Sequence, residues 1–123
     1  MDSKAFGKKG EGLAEKHLRG LGYKIIERNY RTSVGEIDLV ASDGDTLVFV
    51  EVKSRRDDSF GRPELSVNYR KQGQIKKAAL AYIMRKKKHN TPCRFDVVGV
   101  YEGGGSGPVV ELIKDAFELS EGY

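Results

Sequence analysis

Residues 36–53, EIDLVASDGDTLVFVEVK, decide the fold of this chain. Polar and apolar side chains alternate on both sides of the Asp43-Gly44 pair, which is a strong signal for a β-hairpin. The pattern therefore predicts two antiparallel strands, at residues 36–41 and 46–53, joined by a short loop. Both strands are short enough for an ordinary small sheet.

The predicted register gathers charged side chains on one face of this hairpin. With Asp43 and Gly44 as the turn residues, Asp38 lies opposite Phe49 and Glu36 lies opposite Glu51. Since alternate and directly opposed residues share a face, these acids and Lys53 are expected to project from the same side. The apolar side chains expected on the opposite, core-facing side are Ile37, Leu39, Val48, Val50 and Val52.

Clustered carboxylates of this kind predict a metal site. A like-charged pair across a hairpin costs roughly 0.2–1 kcal/mol, and Asp38 adds a third negative charge diagonally across. Oxygen ligands in this number suit Mg²⁺ or Mn²⁺. Lys53 would place an ammonium beside the metal, where it could orient a water or stabilise charge that develops on a phosphate. For any single charge, a solvated hairpin face is the alternative explanation.

The rest of the chain predicts one α/β domain over residues 1–123, with its core at about 7–114. The expected order is α-β-β-β-α-β-β, a mixed β-sheet with helices packed against it. Gly10, near the centre of the first helix, indicates close approach of another backbone. The glycine-rich residues 102–108 predict a flexible hairpin tip. The other predicted elements are a helix at 3–21, a strand at 24–31, a loop at 54–65, a helix at 66–88, and strands at 95–101 and 109–114.

Composition restricts the class of protein. The 123 residues include 22 Lys and Arg against 18 Asp and Glu, a formal charge of +4. A single Cys excludes an internal disulfide framework, and with no Cys/His cluster we expect no structural zinc. The first ten residues lack the apolar region of a signal peptide, and no apolar run approaches the ~18 residues of a membrane span. We therefore expect a cytoplasmic protein that has no membrane partner.

The positive charge is concentrated in one third of the chain. Between Glu64 and Asp96 every charged residue is basic. A segment of one sign attracts polyanions, although a solvated helix face would have the same composition. The side chains predicted to follow a nucleic-acid backbone are Arg31, Arg55, Arg56, Arg62, Lys71, Lys76, Lys77 and Arg85.

Asp38 followed by Glu51-Val52-Lys53 resembles the D…ExK signature of the PD-(D/E)XK nuclease superfamily. The surrounding sequence narrows the resemblance to the bacterial UPF0102 (YraN-like) family, over about residues 7–114. That family is similar to archaeal Holliday-junction resolvases and has a restriction-endonuclease-like core. The segments that carry the resemblance are Gly10-Glu11, Gly22-Tyr23 and residues 28–31, 35–40, 49–55 and 94–98.

The resemblance implies a role for each matching residue. Asp38 and Glu51 would be metal ligands for Mg²⁺ or Mn²⁺, and Lys53 would be the catalytic lysine. Glu11 matches the additional acidic residue of the resolvase-like branch and would join the metal site.

Three further positions are weaker candidates for the same catalytic site. Lys71 or Gln72, near the start of the second predicted helix, resembles a later polar position of the resolvase-like branch. Glu36 is a further acidic candidate in the hairpin. Ile37 stands where the literal motif has proline, a substitution that divergent members of the superfamily share.

Together these expectations describe a metal-dependent nuclease that hydrolyses phosphodiester bonds in DNA. Contacts to a phosphate backbone carry no sequence information, so we expect selectivity for branched or junction-like structures rather than for a sequence. The resolvase resemblance also implies a homodimer. The alternative is a nucleic-acid-binding module of the same fold without significant turnover, and a third is a structural or interaction domain whose carboxylates are only solvated.

Overall fold

The computed structural model describes residues 3–56, 62–103, 105 and 107–118. Within these ranges the chain forms a mixed α/β structure, in the element order that the sequence predicts. The elements are α1 (Ser3–Gly20), β1 (Lys24–Thr32), β2 (Gly35–Asp43), β3 (Thr46–Arg55), a 3₁₀ helix (Pro63–Ser66), α2 (Tyr69–Arg85), β4 (Cys93–Glu102) and β5 (Pro108–Phe117).

The second helix is shorter than predicted at both ends, for local reasons. Asn68 caps it: the Asn68 Oδ1 accepts the backbone N–H of Lys71 at 2.9 Å, so α2 begins after this residue. At the other end Lys87 has φ 55°, in the left-handed region that ends a helix.

The five strands form one sheet in the order β1-β2-β3-β4-β5. β3 and β4 are parallel, and all other neighbouring pairs are antiparallel. A parallel pair needs a crossover connection, which the segment containing the 3₁₀ helix and α2 supplies between β3 and β4. The sheet is therefore mixed, as the sequence predicts.

The two helices cover opposite faces of this sheet. α1 packs on β3 and β4 around Leu18 and Val48, and α2 packs on β2 around Ile75. On the α2 face the Tyr82 ring meets the rings of Tyr30 and Phe49 edge-on, at centroid distances of 5.2 and 5.8 Å. Each face of the β2–β3 hairpin therefore packs on a helix, and Val48 and Val50, predicted to face the core, pack on the α1 side.

Gly10 allows α1 to lie close to β3. A Cβ atom at this position would collide with the Ser54 hydroxyl on β3. The predicted close approach is confirmed, but the neighbour is a side chain rather than a backbone.

The β4–β5 connection is a tight hairpin. The Gly103 N–H donates to the Gly107 carbonyl at 2.9 Å. Gly104 and Ser106 of the predicted flexible tip, and residues 57–61 of the predicted loop, lie outside the described residues. In the part of the chain that is described, neither helix is long and apolar enough to cross a membrane.

Candidate functional site

The turn of the β2–β3 hairpin lies one residue later than predicted. Asp43 pairs with Thr46, so Gly44 and Asp45 are the two turn residues. Gly44 has φ 60° at the first turn position, where a type II′ turn prefers glycine.

This later turn changes which residues face each other across the hairpin. Phe49 pairs with Val40, and the continued register places Asp38 opposite Glu51. The predicted facing pairs, Asp38 with Phe49 and Glu36 with Glu51, are therefore wrong. The later turn does not by itself change which side of the sheet a side chain is predicted to face. The facing partner of each residue changes by two positions, and side chains alternate sides with a period of two.

β2 and β3 diverge at Asp38. The last paired residues are Leu39 and Val50. Beyond them the Asp38 Oδ2 accepts the backbone N–H of Val52 at 2.8 Å, so a side chain replaces the missing backbone acceptor. β2 also twists here: Ile37 packs on the α2 side and Leu39 on the α1 side, although the sequence predicts the same face for both. The divergence holds the Asp38 carboxylate between the two strands.

Glu51 is buried beside a second acid. Only 4% of the residue is exposed, and its carboxyl group forms a side-chain hydrogen bond with Asp38. Burial, followed by the hydrogen bond and the negative charge of Asp38, raises the pKa of Glu51 to about 8. Lys71 and Lys53 oppose this rise, with their Nζ atoms 3.5 and 4.0 Å from the Glu51 Oε2. Burial outweighs both lysines, so the folded protein favours the protonated form of Glu51.

The two lysines reach Glu51 from different elements. Lys53 follows it by two residues on β3 and shares its face. Lys71 lies in the first turn of α2, where the Asn68 cap fixes the start of the helix. The structure therefore brings together Asp38, Glu51, Lys53 and Lys71.

Two other candidates have different partners. The Gln72 amide nitrogen donates to the Val67 carbonyl at 3.0 Å, which ties α2 to the preceding loop. Glu36 lies 3.5 Å from the guanidinium of Arg31. Neither residue makes a described contact with Glu51.

Glu11 approaches the site from α1. Burial, and then the negative charges of Asp38 and Glu36, raise the pKa of Glu11, while a hydrogen bond with Asn29 lowers it. Glu11 is thus close enough to Asp38 to feel its charge. Over the described ranges, however, no three Asp, Glu, His or Cys side chains are grouped so that they could hold one metal ion.

The Asp38–Glu51 pair still fits a divalent cation. Mg²⁺ is commonly bound through one or two carboxylates, with waters and substrate phosphates as the remaining ligands. The pair supplies carboxylate oxygens, and the hydrogen bond with Asp38 keeps the two groups together.

Most of the predicted nucleic-acid-binding cations are on the surface. The exposed ones are Arg31, Arg56, Arg62, Lys77 and Arg85, whereas Lys71 and Arg55 are partly buried. Lys76 is only 2% exposed, and its ammonium lies 5.9 Å from the centre of the Phe117 ring. The predicted place of Lys76 on an exposed basic face is therefore wrong. It is three and seven residues before Ala79 and Ile83, a spacing that puts it on the buried side of α2.

A second buried acid, Asp96, was not singled out by the sequence analysis. It accepts hydrogen bonds from Tyr23 at 2.9 Å, from Arg94 at 2.8 and 3.0 Å, and from the backbone N–H of Asp115 at 3.0 Å. An acid within the apolar strand segment 95–100 is the signal that could have identified it.

Comparison with known proteins agrees with the resemblance seen in the motifs. The model of a family described as "Uncharacterised protein family UPF0102" matches residues 10–100. Similar proteins include a UPF0102 protein from Syntrophus aciditrophicus, 52% identical over 116 residues, which are 94% of this chain and 91% of the relative. Another, from Geotalea uraniireducens, is 48% identical over 119 residues, 97% of this chain and 94% of the relative. This chain belongs to the UPF0102 family.

Proposed function

We propose that this protein is a metal-dependent nuclease that hydrolyses phosphodiester bonds in DNA, with Mg²⁺ or Mn²⁺ as its cofactor. The observation that carries the proposal is the pair that buried Glu51 forms with Asp38 at the divergence of β2 and β3, with Lys53 and Lys71 beside Glu51. A buried acid with a strongly raised pKa and specific charged neighbours is typical of functional sites.

Each residue of the pair and its neighbours has a role in this proposal. Asp38 and Glu51 would hold the cation, with Glu11 as a further acid close enough to feel the charge of Asp38. The cation, when bound, would lower the pKa of a water and neutralise charge on the phosphate. Lys71 and Lys53 stabilise the ionised form of Glu51, which is the form that can bind a metal. Lys53 would also donate to a phosphate oxygen.

We extend the proposal to the fold and the substrate. A mixed sheet with a helix on each face, and acids where two strands diverge, supports a restriction-endonuclease-like core of the PD-(D/E)XK type. The exposed cations would bind the phosphate backbone without reading bases, so the substrate would be branched or junction-like DNA. We also propose a homodimer, from the resemblance to the resolvases, and a cytoplasmic location, from the composition.

Cleavage assays test the reaction. The protein is incubated with branched, flapped, single-stranded and duplex DNA, each with Mg²⁺, with Mn²⁺ or with EDTA. We expect metal-dependent cleavage, greatest on the branched substrates, and its loss in Asp38→Asn and Glu51→Gln. The amide of Asp38→Asn can still accept the Val52 N–H, so the local fold should survive. Glu111→Gln, the same kind of change at an exposed acid of β5, serves as the control.

Cleavage in EDTA, or cleavage that survives both substitutions at the acidic pair, would contradict the mechanism. The second candidate function is a nucleic-acid-binding module without turnover. The lack of a three-acid group within the described ranges favours it. DNA binding without cleavage on any of these substrates, with either metal, would select this function.

A further inference from the structure

Arg55 ends β3 with a guanidinium that has no hydrogen-bond partner among the described residues. Its Nε, Nη1 and Nη2 atoms are all buried, and none makes a hydrogen bond. Burying an unpaired charge is costly, and buried polar groups in native proteins are nearly always hydrogen-bonded. An orphaned guanidinium is therefore a feature that calls for a ligand.

Its place on the strand puts Arg55 on the same face of β3 as Glu51 and Lys53. Residues 51, 53 and 55 share one face of β3 because side chains alternate along a strand. The neighbouring Arg56 points the other way, with its guanidinium 4.8 Å from the centre of the Phe6 ring on α1. Arg55 thus continues the row that begins with Glu51 and Lys53.

The other cations near this row already face an acid. Lys53 and Lys71 both lie within 4.0 Å of Glu51, and Arg62 bonds Glu64 at 2.7 Å. Arg55 forms no such ion pair with any described residue. The planar guanidinium fork matches two oxygens of a phosphate, which makes arginine the preferred residue for bidentate phosphate binding.

Glu64 offers the rival explanation. Its Oε1 is also buried without a hydrogen bond, while the other oxygen takes the Arg62 contact. An ion pair between Arg55 and this oxygen would make Arg55 a structural residue. The two explanations predict opposite effects on stability, so they can be separated.

We propose that Arg55 binds a phosphate group of the nucleic acid, next to the phosphate that reacts at the Asp38–Glu51 pair. This inference rests on the proposed function and names the residue that holds the neighbouring phosphate. The guanidinium nitrogens are covered, so binding requires the surrounding side chains to shift. The ligand then supplies the hydrogen bonds that the folded protein lacks. This phosphate is either a diester within the nucleic-acid strand or a monoester at its end.

Thermal unfolding and binding in EDTA test this inference, because cleavage is then excluded. The variant is Arg55→Met, and the control is Arg19→Met, an exposed arginine of α1 that pairs with Glu15. The ligands are inorganic phosphate and short single-stranded oligonucleotides with or without a 5′-phosphate. We expect Arg55→Met to keep or raise the Tm of the free protein, to abolish the ligand-induced rise in Tm, and to weaken oligonucleotide binding at least tenfold. Arg19→Met should retain the ligand-induced rise.

The oligonucleotide pair identifies the source of the phosphate. A larger rise in Tm with the 5′-phosphate supports a terminal monoester, and equal rises support a diester. An unchanged ligand-induced rise in Arg55→Met overturns the inference. A lower Tm in both Arg55→Met and Glu64→Gln, with no further loss in the double variant, also overturns it and makes the two residues a structural pair.

The same assays separate this inference from the proposed function. If the wild-type protein cuts no substrate but Arg55→Met still loses the ligand-induced rise in Tm, the nuclease proposal fails and the phosphate site stands. If Arg55→Met cuts DNA with unchanged kcat and KM, the nuclease proposal stands and the role of Arg55 fails.

Discussion

Asp96 and Glu51 are two buried acids on adjacent parallel strands, and they have opposite surroundings. Asp96 on β4 is fully buried and accepts four hydrogen bonds, from Tyr23, Arg94 and Asp115. Glu51 on β3 is almost as buried, but its nearest groups are another acid and two lysines at 3.5 and 4.0 Å. Since Glu51 pairs with Val97, the two acids project from opposite faces of the sheet.

The difference distinguishes an acid whose hydrogen bonds are complete within the protein from one that we propose to be functional. The hydrogen bonds of Asp96 join β4 to β5 and to the turn before β1, and Arg94 extends them to Asp43 on β2 at 3.1 Å. A buried charge with all its hydrogen bonds made stabilises one arrangement of the chain. Glu51 has no such set of donors, and its raised pKa shows that the folded protein disfavours its charge. The hydrogen bonds of the first site are complete without a ligand, whereas the second site is the one at which we propose that a cation binds.

The largest expected effect on stability comes from a substitution of Asp96. Asp96→Ala removes the main partner of the partly buried Arg94 and leaves the Tyr23 hydroxyl without its acceptor, so we expect the free energy of unfolding to fall by about 3–5 kcal/mol. Glu51→Gln, an uncharged residue of the same shape, should change it by less than about 1 kcal/mol at pH 6, where Glu51 is protonated. Urea denaturation measures both. A loss in Glu51→Gln as large as that in Asp96→Ala would remove the distinction.

The next effect is the pH dependence of stability that Glu51 contributes. Its pKa is about 8 in the folded protein against an ordinary value of 4.5, so between these values the folded state holds a proton that the unfolded chain has released. The contribution of this proton to the free energy of unfolding is complete below pH 4.5 and is lost as the pH rises from there to about 8. In metal-free buffer, the free energy of unfolding of Glu51→Gln should rise relative to that of the wild type across this pH range, as denaturation at several pH values would measure. A constant difference between the two proteins would show that Glu51 is ionised throughout.

The smallest effect concerns the two lysines beside Glu51. Lys71 lowers the pKa of Glu51 more than Lys53 does, and its Nζ lies closer. Lys71→Met should therefore raise that pKa further, by up to about one unit, and Lys53→Met should raise it less. NMR titration of the carboxyl carbon of Glu51 measures both shifts. Lys77→Met on the exposed side of α2 is the control, and a larger shift in Lys53→Met would reverse the assignment.

Much of the fold could be predicted from local sequence. Alternation around a glycine predicts β2 and β3, and helical spacing predicts the buried side of α2, including Ile75 and Tyr82. These signals are local because each one depends on which side of a single element is apolar. The start of α2 was misplaced because several polar residues precede it, and only the hydrogen bond of Asn68 identifies the cap.

The sequence predicts which residues form the site but not how they are arranged. The residues Asp38, Glu51 and Lys53 come from one hairpin, so parity alone places them on one side. The register depends on Asp43, which a local turn rule can place either in the turn or in the strand. In the structure Arg94 and Lys114 contact the Asp43 carboxylate, at 3.1 and 3.7 Å, and these contacts favour its place at the end of β2.

The sequence by itself determined the type and order of the elements, the acids and the lysine that the β2–β3 hairpin carries, and the resemblance to UPF0102. These depend on short-range periodicity and on motifs within a few residues of each other. Only the tertiary structure decided that Glu51 is buried beside Asp38 and that Lys76 is buried. It also decided that the guanidinium of Arg55 makes no hydrogen bond with a described residue. Burial and pairing are set by elements far apart in the chain, and the cost of an unpaired charge depends on what covers it rather than on its neighbours in sequence.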